Sequence, residues 1–164
     1  MENNEIIIKE LDTECNFSDL IELSKEFFYE YENNNKEIFG IDSINEMDIK
    51  NYFQKFIGNK TANAYIAIFN KKIIGYITFY IKDQPNYWVV KKIGDISGLM
   101  VNKNYRKNGI GKKLVTKTID YFKQNDIKYY SVFISINNND GISLYKKCGF
   151  KELYTTLYGE INSK

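Results

Sequence analysis

The chain has 164 residues, of which 43% are hydrophobic and 16% aromatic, a composition typical of one folded domain rather than of a disordered chain. Its formal net charge of +2 is too small for general nucleic-acid binding, so affinity for anions must come from local clusters of Lys and Arg. Histidine is absent, which excludes histidine general bases, Ser-His-Asp triads and HExxH metal sites.

The remaining broad features predict one cytoplasmic domain over residues 1–164. The first residues are acidic and polar, and no apolar run approaches the roughly 18 residues of a membrane span. Cys15 and Cys148 lie far apart and lack the spacing of a metal site. We therefore expect no bound metal and two reduced, structural thiols.

The apolar pattern divides the chain into ten elements of mixed α and β type. Alternating or β-branched runs predict strands, and apolar residues spaced by three and four predict helices. In chain order the elements are strand 5–11, helix 17–32, helix 43–58, strand 63–70, strand 73–81, strand 93–101, helix 110–124, strand 127–135, a short helix within 137–150 and a last strand over 151–161.

Two local signals sharpen this assignment. Ser43 and Glu46 have the spacing of a capping box, which predicts the start of the second helix. Glycines inside the strand over 93–101, Gly98 among them, predict a β-bulge or the close approach of a ligand.

The densest cluster of positive charge lies where the helix over 110–124 begins. The segment 105–111, YRKNGIG, places glycines directly before the helix, where backbone N–H groups can converge on an anion. It lacks the GxxxxGK[ST] spacing of a Walker A loop, and Leu114 replaces the third glycine of a dinucleotide-binding motif. The segment predicts a phosphate site of neither nucleotide class, with a solvated basic helix start as the alternative.

Two motifs resemble those of the GNAT N-acetyltransferase superfamily. The segment 96–115 resembles its acetyl-CoA-binding motif, because RKNGIG over 106–111 matches [RQ]xxGx[GA]. The segment 138–150, NNDGISLYKKCGF, looks like the family's NxxAxxLYxxxGF, with Gly141 in place of the usual Ala. The resemblance implies a GNAT-like α/β fold (α+β mixed), in which about four helices flank a mostly antiparallel sheet of about six to seven strands.

In family terms acetyl-CoA is the cosubstrate, and its pyrophosphate rests on backbone N–H groups of the turn. Glycine is expected at 109 and 111 because a side chain would crowd the phosphates. The pantetheine arm pairs with the strand 96–101, and an N–H near Leu99 or Met100 polarises the thioester carbonyl. The cofactor-binding residues implied by the resemblance are Leu99, Met100, Val101, Arg106, Lys107, Asn108, Gly109, Ile110, Gly111, Lys112, Asn138 and Tyr145.

The resemblance also implies a catalytic acid. Tyr145 occupies the position of the family tyrosine, and a phenol with an ordinary pKa near 10 can donate a proton or a hydrogen bond to the departing thiolate. Asn138 either contacts pantetheine or positions Tyr145, and a helix cap is its structural alternative. The side chain of Arg106 has a structural role as the alternative to ligand binding.

The general base is less well defined. Many family members carry a glutamate four residues before the motif valine, and this chain has Ser97 there, four residues before Val101. Asp95 lies two residues earlier, on the same face of a regular strand, and is the candidate base. The alternatives are Glu30, Glu32 and water.

Together these features imply an acetyl-CoA-dependent N-acetyltransferase that acetylates a primary amine of a small molecule or peptide by direct attack on the thioester. The alternative is a non-catalytic acyl-CoA-binding or regulatory module with the same fold. We expect no nucleic-acid or membrane partner, and a homodimer is possible because dimers are common in the family. The identity of the acceptor stays open, although one aromatic and acidic set suits a cationic amine: Tyr29, Glu30, Tyr31, Glu32, Tyr87 and Trp88.

Overall fold

A five-stranded sheet forms the centre of the fold in this computed structural model, which describes residues 5–161. Strand order follows chain order, and every neighbouring pair is antiparallel except the last, which is parallel. The strands are β1 Ile7–Glu10, β2 Ala62–Phe69, β3 Lys72–Asp83, β4 Lys92–Val101 and β5 Tyr130–Val132. The helices are α1 Phe17–Asn35, α2 Glu46–Gln54, α3 Ile110–Gln124 and α4 Asn139–Lys147, with a 3-10 turn at Lys103–Tyr105.

Helices cover both faces of the sheet. On the face under α1 and α2, the rings of Phe53 and Tyr76 lie 4.9 Å apart, edge to face. On the face under α3 and α4, Phe79 and Phe122 make the same contact at 5.4 Å, and both are fully buried. A Cβ at Gly94 would lie 2.6 Å from the Phe122 ring, so this glycine lets α3 approach β4. Burial of each such ring contributes about 1.5–3 kcal/mol to stability. The contact of Phe122 with Gly94 places α3 over β4, the strand that precedes it.

α1 is the longest helix, with 19 residues. Asn16 caps it, because its Oδ1 accepts the Ser18 N–H at 3.1 Å. Leu20 and Leu23 are buried against the sheet, whereas Glu22 is exposed. Within residues 5–161 no helix combines the length and the apolar character that crossing a membrane requires.

The mixed fold class is confirmed, and so is the predicted order of elements as far as α4. α3 has the predicted bounds, Ile110–Gln124. The predicted capping box at Ser43 is wrong, because α2 begins three residues later. Asn45 supplies its cap by accepting the Met47 N–H at 2.8 Å.

The predicted last strand over 151–161 is wrong, so the described sheet has five strands rather than six to seven. A strand needs a neighbour for its backbone and a buried face for its side chains. β5 is only three residues long, and among the described residues none pairs with 151–161. The apolar side chains of this segment are exposed: Leu153, Tyr154, Leu157, Tyr158 and Ile161.

Candidate active site

β4 and β5 pair over three residues and then separate. Their parallel register joins residues 94–96 to Tyr130–Val132, and beyond that point β4 has only β3 as a neighbour in the described chain. The Asn102 N–H donates to the Ile74 carbonyl of β3 at 2.8 Å, which sets the alternation of the ladder. By that alternation the N–H and C=O groups of Leu99 and Val101 point away from β3, on the side of the gap between β4 and β5. Of these four groups, the Val101 carbonyl already accepts a hydrogen bond from Arg106 Nε.

A β-bulge interrupts β4 beside this gap, so the predicted irregularity is confirmed. Thr78 of β3 lies opposite Gly98, whereas Phe79 lies opposite Ile96, and Ser97 is the extra residue. A Cβ at Gly98 would lie 3.0 Å from Thr78 Oγ1. Glycine therefore lets the bulged strand stay close to β3.

The segment 106–111 turns the chain into α3. Lys107 and Gly109 have φ values of +63° and +76°, in the left-handed region. Gly109 is the N-cap residue of α3 and offers no side chain to the first N–H groups of the helix. Ile110 is 1% exposed and anchors the helix in the core, while Lys112 is exposed. Open N–H groups, the positive end of the helix dipole and lysine charge all suit a phosphate group.

The two glycines of this turn have different structural roles. Gly109 needs its positive φ, and the space around its missing Cβ is open. At Gly111 a Cβ would lie 3.0 Å from Leu144 Cδ2, so the contact is with α4. The structure therefore gives Gly111 a packing role. The argument from phosphate crowding stays a prediction and applies best to Gly109.

Arg106 is held by the protein itself. Its Nε donates to the Val101 carbonyl at 2.9 Å, and its Nη2 donates to Glu30 Oε1 at 2.6 Å. The side chains of Arg106 and Glu30 are 36% and 44% exposed, so solvent screens this ion pair. Asn108 Nδ2 donates to carbonyls within the turn at 3.2 and 3.3 Å. Arg106 thus joins α1, β4 and the turn. These contacts favour a structural role for its side chain over direct binding of a ligand.

Asn138 caps α4, since its Oδ1 accepts the Gly141 N–H at 2.9 Å. A Cβ at Gly141 would lie 2.9 Å from the side-chain amide of Asn138 and 2.7 Å from Ile134 Cδ1. The glycine that departs from the family motif therefore makes room for the cap. Asn138 orients the helix that carries Tyr145, and its predicted contact with pantetheine stays a prediction.

Tyr145 is 7% exposed and packs edge to face on Phe150, with ring centroids 5.1 Å apart. Gly149, at φ +92°, ends α4 and lets the Phe150 N–H return to the Tyr145 carbonyl at 3.1 Å. Burial first, and then the neighbouring Cys148, raise the pKa of Tyr145 well above its ordinary value near 10. Its hydroxyl therefore stays protonated and able to donate at neutral pH.

Asp95 is engaged by two neighbours. Lys82 Nζ lies 2.5 Å from Asp95 Oδ2, and the Ser131 hydroxyl donates to Oδ1 at 3.2 Å. The Asp95 side chain is 19% exposed. Both carboxylate oxygens of Asp95 already have partners, so this geometry gives little support to Asp95 as the general base, and that role stays a prediction.

Three hydroxyl groups meet at the bulge, in a cluster that the sequence did not predict. Thr78 Oγ1 lies 2.9 Å from the Tyr52 hydroxyl and 2.9 Å from Ser97 Oγ, and the Tyr52 and Ser97 oxygens are 3.3 Å apart. They come from α2, β3 and β4. Tyr52 and Thr78 are 26 residues apart in sequence, and Thr78 and Ser97 are 19 apart, so no local motif predicts the cluster. Burial first, then Tyr52 and the charge of Asp95, raise the pKa of the adjacent Tyr80 to about 12.

The aromatic and acidic set proposed for the acceptor divides into two parts. Glu30 binds Arg106, and Glu32 Oε1 accepts a backbone N–H from the segment after α1 at 2.9 Å. In the connection between β3 and β4, Tyr87 and Trp88 are 80% and 55% exposed, with ring centroids 5.5 Å apart. Tyr31 packs on Phe27 and Phe39, whereas Tyr29 is 54% exposed. Tyr87, Trp88 and Tyr29 are therefore the members of the set that are exposed to a ligand.

A family model and curated proteins match this chain. The model described as acetyltransferase (GNAT) family matches residues 14–150. An uncharacterized N-acetyltransferase of Methanocaldococcus jannaschii is 24% identical over 101 residues, covering 62% of this chain and 44% of that protein. One from Archaeoglobus fulgidus is 26% identical over 94 residues, covering 56% and 61%. The chain thus spans about half the length of these curated relatives.

Solved structures share the fold over nearly the whole chain. A mutant of the BH1408 protein of Bacillus halodurans superposes with a TM-score of 0.83 at 18% identity, covering 95% of this chain and 99% of that one. The aminoglycoside N-acetyltransferase AAC(6')-Iy in complex with CoA gives a TM-score of 0.76 at 13% identity, covering 97% and 96%. At sequence identities this low, the structural similarity shows a shared fold and does not by itself show a shared activity. The family match, however, spans both motifs, so the chain belongs to the acetyltransferase (GNAT) family.

Proposed function

We propose that this protein is an acetyl-CoA-dependent N-acetyltransferase that acetylates a primary amine of a small molecule or peptide. The observation that carries the proposal is the free edge of β4 beside the glycine turn. The N–H and C=O groups of Leu99 and the N–H of Val101 point into the β4–β5 gap, whereas the Val101 carbonyl is held by Arg106 Nε, and the open N–H groups of α3 follow at the end of the same strand. An extended thiol arm with a phosphate at one end matches both features.

The residues present fit coenzyme A. The turn offers N–H donors and exposed Lys107 and Lys112 to a pyrophosphate, and no side-chain carboxylate caps α3. Acetyl-CoA, when bound, supplies the electrophilic acyl group. The Leu99 N–H points into the gap, whereas the alternation of the ladder turns the Met100 N–H toward β3, so Leu99 suits polarisation of the carbonyl oxygen better.

Tyr145 supplies the proton, or the hydrogen bond, that the departing thiolate needs. A thiol has a pKa near 8.5, and burial keeps the phenol protonated well above that pH. The exposed rings of Tyr87 and Trp88 support a cationic acceptor, because aromatic faces attract ammonium groups. Small-molecule acetylation also agrees with the aminoglycoside named for AAC(6')-Iy, a neighbour of the same fold.

Homodimer formation is a further part of this proposal. Residues 151–161 present Leu153, Tyr154, Leu157 and Ile161 at 79–95% exposure, and such a cluster favours contact with another surface. Sedimentation velocity over a range of concentrations tests it. A species of about twice the 19.3 kDa chain mass is expected, and a monomer throughout contradicts this part.

Amine-dependent release of CoA separates the enzyme from the non-catalytic binder. Purified protein is incubated with acetyl-CoA and a panel of polyamines, aminoglycosides, amino acids and peptides, and free thiol and acetylated product are measured together. The proposal predicts stoichiometric thiol and product with at least one amine class. CoA binding without turnover on any class supports the binding module instead.

A further inference from the structure

Residues 151–161, called the arm below, run extended from the end of α4 without helix, turn or bend. In the described chain no backbone hydrogen bond joins the arm to another residue. Its sequence, KELYTTLYGEI, places Thr155 and Thr156 between two Leu-Tyr pairs, and Thr and Tyr are both common in strands. The arm therefore has the backbone and the composition of a strand that has no neighbour in its own chain.

β5 has an unpaired outer edge. Across the parallel β4–β5 pair, the Gly94 N–H donates to the Tyr129 carbonyl at 2.9 Å. Alternate residues of β5 face β4 in such a ladder, so the N–H and C=O groups of Tyr130 and Val132 point to the opposite side. Within residues 5–161 no strand lies on that side. β5 thus presents free donors and acceptors, as an edge strand does.

The arm runs beside β5 of its own chain without pairing with it. At the start of the arm, Phe150 packs on Tyr130 with ring centroids 5.0 Å apart. Further along, the Tyr158 hydroxyl donates to Glu37, just after α1. The chain that follows β5 reaches the same end of α1, where the Ser135 hydroxyl makes a hydrogen bond of 2.9 Å. The arm and β5 therefore run in the same direction, each with an unpaired backbone.

We infer that the arm of one copy pairs with the outer edge of β5 in a second copy, which returns the same contact. This inference rests on the homodimer that forms part of the proposed function. A two-fold axis perpendicular to the strands reverses the partner's arm, so it lies antiparallel to β5. β5, only three residues long, then gains a neighbour on the side opposite the proposed CoA gap.

The apolar surface of the arm approaches what a stable dimer buries. Its large apolar side chains are 64–95% exposed: Leu153, Tyr154, Leu157, Tyr158 and Ile161. Covering them removes roughly 400–700 Å² per copy from water, at about 150–250 Å² for each aromatic and about 60–120 Å² for each aliphatic side chain. Phe133 and Ile136, just after β5, are 67% and 85% exposed and add receiving surface. A standard interface takes about 800 Å² from each partner.

Hydrogen exchange of individual amides tests the pairing directly. At concentrations where sedimentation shows dimer, the amides of the arm and those of Tyr130 and Val132 should exchange at least tenfold more slowly than in dilute protein. Dilution should remove the protection, because pairing within one chain would not depend on concentration. Protection of the arm without Tyr130 and Val132 overturns the inference, and so does protection that is unchanged on dilution.

Two variants test the same contact without relying on either one alone. Leu157→Asp adds a charge to the arm, and Thr155→Pro removes an N–H and is incompatible with a central strand. Each should raise the dimer dissociation constant at least tenfold and leave thermal unfolding of the dilute monomer unchanged, since both side chains are exposed. Val89→Asp is the matched control, because Val89 is 93% exposed in the β3–β4 connection.

The outcomes separate the strand exchange from the rest of the proposal. A wild-type dissociation constant in both arm variants overturns the exchange, while the homodimer and acetyl transfer stand. A wild type that is monomeric at every concentration overturns the exchange and the homodimer together. Amine-dependent release of CoA is measured independently, so acetyl transfer stands or fails by itself.

Discussion

Arg106 Nη2 lies 2.6 Å from Glu30 Oε1, so the arginine of the glycine turn is tied to helix α1. Arg106→Ala and Glu30→Ala should therefore weaken CoA binding by similar factors, within about threefold of each other, and their effects should not add. The partly exposed pair itself contributes about 0.5 kcal/mol to stability. Isothermal titration of CoA into the two single variants and the double variant measures this. An Arg106→Ala loss ten times that of Glu30→Ala indicates direct phosphate binding instead.

The glycines of the turn should respond differently to alanine. Gly109→Ala forces a side chain into positive φ and places a methyl beside the proposed phosphate site, so we expect about 1 kcal/mol lower stability and weaker CoA binding. Gly111→Ala meets Leu144 at 3.0 Å and should disturb α4 more than CoA affinity. Urea unfolding and CoA titration measure both effects. Equal losses of CoA affinity contradict the separate roles.

Gly141 and Asn138 should be energetically coupled. Gly141→Ala gains about 1 kcal/mol of helix propensity but displaces a cap of similar value, so its effect on unfolding free energy should be near zero. In an Asn138→Ala background no cap remains to be lost, and Gly141→Ala should then stabilise the fold by about 1 kcal/mol. A double-mutant cycle in urea measures the difference. Identical effects in both backgrounds contradict the contact.

Stability should fall at alkaline pH because Tyr65, which is buried, and Tyr80, which is half-buried, keep their protons in the folded state. Burial raises the pKa values of Tyr65 and Tyr80 to about 12, whereas tyrosines of the unfolded chain titrate near 10. Their contribution is complete below pH 10 and is lost as pH rises toward 12. Unfolding free energies measured from pH 8 to 12 should show this decline. Tyr65→Phe should reduce it, with exposed Tyr129→Phe as the control.

Local patterns predicted the elements whose signals lie within a few residues. α3 has the predicted bounds because a glycine turn, a buried stripe and a polar end occur together along it. The bulge followed from Gly98, although its partner Thr78 could not be predicted from spacing. The start of α2 was wrong because Asn45, rather than Ser43, reaches the free N–H groups.

Features that depend on distant partners were not predicted. The segment 151–161 has the composition of a strand, but no described residue pairs with it. The hydroxyl cluster joins three elements. The sequence singled out Ser97 only as the residue at a position where many family members carry a glutamate. The contact of Arg106 with Glu30 spans 76 residues and has no local signal. Sequence motifs thus pointed to the glycine turn and Tyr145 as the candidate site, whereas the contacts that support these residues appear only in the tertiary structure.

Tyr145→Phe tests the central claim most directly, because phenylalanine keeps the buried ring and its contact with Phe150 and removes only the hydroxyl. The measurement is kcat for amine-dependent CoA release, set beside the Kd for CoA of the same variant. Acetyl transfer assisted by this hydroxyl predicts a fall in kcat of at least tenfold with Kd changed less than twofold. Full activity in Tyr145→Phe would contradict the account.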